Sequence, residues 1–104
     1  MAVLLREMAA RIEVGAFVIA LIILVLIGAP LHHWIMLSVL FLIVMAAEAL
    51  NTAIEVIVDR ISPEHSDFAR DAKDLGSAGV FCSVLAAGLF LCAACLSAAG
   101  LISF

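Results

Sequence analysis

VGAFVIALIILVLIGAPLHHWIMLSVLFLIVMAA, residues 14–47, holds no charged side chain over 34 positions. It is too long for a single helix across a hydrocarbon layer about 30 Å thick, which about 20 apolar residues cross. Its middle, Gly28-Ala29-Pro30-Leu31-His32-His33, is a turn signal, because glycine and proline interrupt a helix. The run therefore divides into two apolar helices joined by a short turn. A second charge-free run, Leu75–Phe104, supplies a third.

All five basic residues (Arg6, Arg11, Arg60, Arg70, Lys73) and all nine acidic ones lie outside these runs, in Arg6–Glu13 and Glu48–Asp74. Hydrophobic residues make up 67% of the 104 and charged residues 13%, with a mean hydropathy of +1.34. Soluble domains average roughly 45–50% apolar. A chain this short buries only about 60–70% of the surface it exposes unfolded, so water is the wrong solvent for it. The composition excludes a soluble enzyme, a disordered chain and a disulfide-stapled secreted module. What remains is a single all-α integral membrane domain over residues 1–104, with three transmembrane helices near 14–29, 34–60 and 70–104. Glu7 and Glu13 are wrong for the basic start of a signal peptide.

With three spans, the N-terminus and the 60–70 loop share one side, and every Lys and Arg falls there. The positive-inside rule makes that side cytoplasmic and the C-terminus periplasmic, in a bacterial inner membrane. The second span is the unusual one. Trp34–Ala47 rises only about 21 Å at 1.5 Å per residue, yet the helical pattern continues without Gly or Pro to Arg60. Glu48 is thus expected near the inner edge of the hydrocarbon, and Glu55 about 10 Å nearer water. Glu48, Asn51, Glu55 and Asp59, spaced 3, 4 and 4, share one helix face. A solvated stripe explains Asp59 and Arg60 as well as any function does. An acid at membrane depth is costly, so Glu48 is expected to face a partner or a cavity.

Arg70, Lys73, Asp74 and Ser77 mark the cytoplasmic entry of the third span, kept slim by Gly76, Ala78 and Gly79. Glu7, Arg11 and Glu13 bring charge to the same side from the first. Acids that converge there need cations, and a divalent metal held by oxygen ligands competes with a plain salt-bridge network. Cys92 and Cys95 have CxxC spacing, but two thiols in an apolar helix fall short of the four ligands of a structural zinc site, and packing explains them with Cys82. His32 and His33 are expected as polar residues of the outer turn, and Trp34 as an interfacial anchor.

The run Glu48-Ala-Leu-Asn-Thr-Ala-Ile-Glu-Val-Ile-Val-Asp-Arg60, then Ser62-Pro-Glu64 and Ala72-Lys-Asp-Leu-Gly-Ser-Ala78, resembles the signature of the bacterial diacylglycerol kinases. These are small membrane enzymes unrelated to soluble kinases, and neither a P-loop nor an HRD motif is present here. The resemblance runs from about Arg6 onward and is densest over 48–78. It implies a homotrimer of three-span subunits with active sites shared between neighbouring chains. It further implies transfer of the γ-phosphoryl of MgATP to the hydroxyl of diacylglycerol, giving phosphatidic acid at the cytoplasmic interface. By position, Glu48 would be the catalytic base, and Glu7 and Glu55 the Mg2+ ligands that also meet ATP. Glu64, His65, Ser66, Lys73 and Asp74 would line the nucleotide site. Arg11, Glu13, Asn51 and Ser77 would line the lipid pocket.

Family members usually begin with a further amphipathic surface helix of roughly 20 residues. Only Met1–Leu5 precede Arg6 here, so that helix is expected to be largely absent. Ser62-Pro63 resembles the related undecaprenol kinases, whereas Asp59-Arg60 and Gly76-Ser77-Ala78 resemble the diacylglycerol type. A different class, a small proton or cation transport subunit, would also use an intramembrane carboxylate, but nearer mid-bilayer than Glu48 is expected to lie. No basic patch points to nucleic acid.

Overall fold

The structure is a computed structural model that describes residues 2–64 and 66–104, with side chains from Met8 onward. Among these residues it is helical without strands: α1 spans Ala2–Leu26, α2 Leu31–Ile61 and α3 Asp67–Ala98. All three are long and apolar enough to cross a membrane. At 1.5 Å per residue α2 is about 46 Å long and α3 about 48 Å, each well beyond a hydrocarbon core of about 30 Å. Leu26, Leu42, Leu50, Leu75 and Leu89 are each more than 60% exposed on the single chain, as lipid-facing side chains are.

The element limits differ from the sequence expectation at both ends, and for the same reason. Glycine in the left-handed region closes each helix early. Gly28 has φ +64°, with its N–H donating to the Val25 carbonyl (3.1 Å) and that of Ala29 to Leu24 (3.0 Å). Gly100 has φ +79°, with the Gly100 N–H on the Ser97 carbonyl and the Leu101 N–H on that of Leu96, both 3.0 Å. These are Schellman pairs, which satisfy carbonyls that a helix end would otherwise orphan. So α1 stops at Leu26 rather than 29, and α3 at Ala98 rather than 104. At its other end α1 runs through the charged Arg6–Glu13 stretch, which the apolar pattern alone had left outside the first span.

The chain divides into two compact units, residues 1–37 with 90–104, and residues 38–89. In the first, Ala20, Leu24, Leu37, Phe90 and Ala94 are buried. The Trp34 indole N–H donates to the Ala29 carbonyl at 3.3 Å, so its ring also closes the α1–α2 turn. His33 departs from the expectation for that turn: it is 2% exposed, enclosed by the rings of His32, Phe90 and Phe104 at 4.4–5.6 Å. The residues after Gly100 bring Phe104 back against it, which the sequence pattern did not suggest.

The second unit is a helical hairpin: the later part of α2, the loop 62–66 and the first part of α3. Val44, Val58, Ser62 and Ala69 are buried in it. A Cβ on Gly76 would collide with Asn51 Oδ1 and touch Ile54 Cδ1 at 3.4 Å, so α3 packs against those α2 side chains where it lacks one of its own. The loop is tied by Ser62, whose hydroxyl donates to the Glu64 carbonyl (3.2 Å) and shares a 2.8 Å bond with Ser66. Ser66 Oγ accepts the Ala69 N–H at 3.1 Å, the N-cap of α3.

Candidate functional site

The α2 face carrying Glu48, Asn51, Glu55 and Asp59 belongs to the hairpin unit, with Lys73, Asp74 and Ser77 on α3. Glu48 is half-buried. Asn51 is half-buried too, and its Nδ2 donates to Glu55 Oε1 one turn further along, at 3.3 Å. The other amide atom, Asn51 Oδ1, is buried against Gly76 and accepts no hydrogen bond from the described residues. Asn51 therefore links the α2–α3 contact at Gly76 to the Glu55 carboxylate. Spacing alone had put the two residues on one face without showing that they bond.

At the loop end, Lys73 Nζ lies 2.6 Å from Asp59 Oδ1, an ion pair that crosses from α3 to α2. Spacing put Asp59 on the face of Glu48 and left open whether it is a solvated charge beside Arg60 or part of a site; its pairing with Lys73 was missed. The available signal was antiparallel register: in a tight hairpin, residues a few positions on either side of the loop face each other. A cleft of about 320 Å³ opens beside this pair, lined by Asp59, Ser62, Pro63, Glu64, Ala69, Arg70, Lys73 and Asp74. Thus three residues expected at a nucleotide, Glu64, Lys73 and Asp74, share one cleft. Ser66 sits next to it as the α3 cap. Arg70 pairs along its own helix with Asp67 (3.4 Å) and Asp71 (3.7 Å), exposed contacts that add little stability.

Ser77 is exposed and does not line the cleft. Arg11 is exposed and Glu13 half-buried, both on α1 in the other unit. The Glu7 side chain and His65 lie outside the described residues. Among the described residues no three His, Cys, Asp or Glu side chains gather as a metal centre. The donor chemistry of the hairpin face nonetheless suits a hard divalent cation. Among its described residues, Glu48, Glu55 and Asp59 offer carboxylate oxygens, and small divalent ions bind through one or two carboxylates plus phosphate oxygens and water.

Three membrane-spanning helices, with carboxylates and a lysine-bearing cleft on one helical hairpin, define a polytopic membrane protein with a polar, charge-lined cleft. The family model "Prokaryotic diacylglycerol kinase" matches residues 1–95. A diacylglycerol kinase of Sinorhizobium sp is 46% identical over 87 residues, covering 84% of this chain and 64% of that protein. The diacylglycerol kinase of Escherichia coli K12 is 34% identical over 88 residues, covering 85% of this chain and 72% of that one. The Haemophilus influenzae diacylglycerol kinase is 48% identical over 48 residues, 46% of this chain and 41% of its own. No solved structure matches. The chain belongs to the prokaryotic diacylglycerol kinase family, and it spans 64% of the length of its Sinorhizobium relative.

Proposed function

We propose that the protein is an ATP-dependent lipid kinase that phosphorylates diacylglycerol to phosphatidic acid at the cytoplasmic face of a bacterial inner membrane, as a homotrimer. Family membership supports the reaction class. The observation that carries the assignment of parts is their order along one hairpin. Glu48 comes first; Glu55, held by Asn51, follows about 10 Å further along α2; the Asp59–Lys73 pair and its cleft come next. That order matches a lipid hydroxyl in the membrane, the transferred phosphoryl at the interface, and the rest of the nucleotide in water.

Phosphoryl transfer asks a protein for positioning and charge neutralisation more than for covalent chemistry. Glu48 accepts the proton of the lipid hydroxyl as its oxygen bonds to the γ-phosphorus; the bond from phosphorus to the β–γ bridging oxygen breaks, and ADP leaves with that electron pair. Glu55 and Glu7 would hold Mg2+, which neutralises phosphate charge when bound. Asn51 keeps one Glu55 oxygen fixed, and Lys73 brings a point charge to the phosphates. Glu64 and Asp74 shape the cleft around the nucleoside. Arg11, Glu13 and Ser77 are assigned to the lipid by resemblance, as His65 and Ser66 are to the nucleotide.

The test is phosphate transfer from MgATP to diacylglycerol and to undecaprenol in mixed micelles, wild type beside Glu48→Gln. Wild type should favour diacylglycerol, and the isosteric amide should reduce kcat by about 10²–10⁴ with oligomeric state unchanged. Preference for undecaprenol would reassign the acceptor. No transfer to either lipid by the folded protein would refute the kinase reading.

A further inference from the structure

We propose that Asp59 is a positioning residue for the nucleotide's phosphates: it holds the Lys73 ammonium at the rim of the cleft, so that the lysine meets the phosphates already oriented. The proposal rests on the lipid-kinase reading for its ligand, but not for its geometry.

Lys73 is the sole lysine of the chain. A lysine carries its charge on a flexible four-carbon stem, and it binds phosphate well only when something limits that freedom. Here the limit is a 2.6 Å contact to Asp59, at the short end for a charge-assisted hydrogen bond between ammonium and carboxylate. The contact joins α3 to α2, two helices that also meet where Gly76 leaves room for the Asn51 amide, so the ammonium is tied to the neighbouring helix as well as to its own. Among the described residues Arg70, the other cation lining the cleft, forms ion pairs with acids of its own helix, Asp67 and Asp71, rather than across to α2.

Stability does not account for the pair. Both partners are well exposed, 42% for Lys73 and 62% for Asp59, and exposed pairs contribute little to folding. Exposure is what a ligand needs. An ammonium has three N–H donors, and one given to Asp59 leaves two for phosphate oxygens. The cleft lining carries the carboxylates Asp59, Glu64 and Asp74 against Arg70 and Lys73, so it has no surplus positive charge to capture a bare polyphosphate. A placed cation and a metal-complexed nucleotide resolve that imbalance together.

The experiment uses the full chain in micelles with two readouts. In steady-state transfer, Asp59→Ala should raise KM for MgATP about tenfold while kcat and the KM for diacylglycerol stay within about twofold. In a Lys73→Met background the same change should add less than about twofold, since it acts through the lysine. Asp59→Glu should recover part of the loss. The second readout needs no activity. An amine-reactive reagent, with adducts resolved by peptide mass spectrometry to separate Lys73 from the N-terminal amine, reports on the one lysine, and Asp59→Asn should label Lys73 several-fold faster than wild type. Unchanged labelling overturns the proposal whatever the enzyme does. Labelling that rises while KM for MgATP is unchanged or falls also overturns it, and would make Asp59 a competitor of phosphate. Equal KM effects of Asp59→Ala with and without Lys73 would make Asp59 an independent ligand. Absence of transfer in wild type would refute the kinase reading, while labelling would still decide whether Asp59 holds Lys73.

Discussion

At the scale of single residues, the most constrained position is one without a side chain. Gly76 admits the Asn51 amide, and that amide in turn donates to Glu55. Alanine at 76 must push the amide aside or part the helices, and overpacking of this kind costs about 1–3 kcal/mol. Gly76→Ala should therefore lower the thermal midpoint and weaken Mg2+ binding, seen as a higher Mg2+ requirement for transfer. Asn51→Ala in the same chain should recover the midpoint, because the collision is gone, but not the Mg2+ requirement, because Glu55 still lacks its donor. Recovery of both would show that Asn51 has no part in placing Glu55. Spacing was enough to place Glu48, Asn51, Glu55 and Asp59 on one face, because a 3-4-4 pattern on a helix is a one-dimensional signal. The pairing of Asp59 with Lys73 escaped because that partner lies across a turn, and a sequence does not display register between helices. His33 escaped for a related reason. Its burial depends on Phe90 and on the returning Phe104, far away along the chain.

At the scale of elements, the three helices were legible because charge-free runs and Gly-Pro punctuation are local properties. Their ends were not, because a helix stops where a glycine turns left-handed, and apolar residues beyond Gly28 and Gly100 conceal that stop. The start of α3 shows how local chemistry can be read in two ways. Ser66 matches a nucleotide contact by resemblance, and in the structure it caps the helix that carries Lys73. Removing an N-cap hydroxyl costs about 1 kcal/mol, so Ser66→Ala should lower the unfolding midpoint in micelles by a few degrees. Ser66→Asp keeps a capping oxygen. If capping is the residue's whole contribution, Asp restores both midpoint and KM for MgATP. If the hydroxyl also meets the nucleotide, Asp restores the midpoint while KM stays raised, since a carboxylate repels phosphate.

At the scale of the whole molecule, the apolar surface of the single chain and the division of candidate residues between α1 and the hairpin bear on assembly. Glu48, Asn51, Glu55, Asp59 and Lys73 all lie in residues 38–89, whereas Glu7, Arg11 and Glu13 lie on α1. A homotrimer with sites shared between neighbours, as the resemblance implies, lets one chain supply α1 residues and the next supply the hairpin. Complementation distinguishes this from three self-sufficient chains. Glu7→Gln and Glu48→Gln subunits, each inactive alone, should regain about a quarter of wild-type transfer when refolded together in equal amounts. That is the fraction of neighbouring pairs that brings an intact α1 to an intact hairpin. Glu48→Gln mixed with Lys73→Met should regain nothing beyond the residual rates of the parents, because both changes fall on one hairpin and no mixed pair restores it. Recovery in the second mixture would place Glu48 and Lys73 of different chains in one site and overturn the single-hairpin assignment; recovery in neither would confine each site to one subunit.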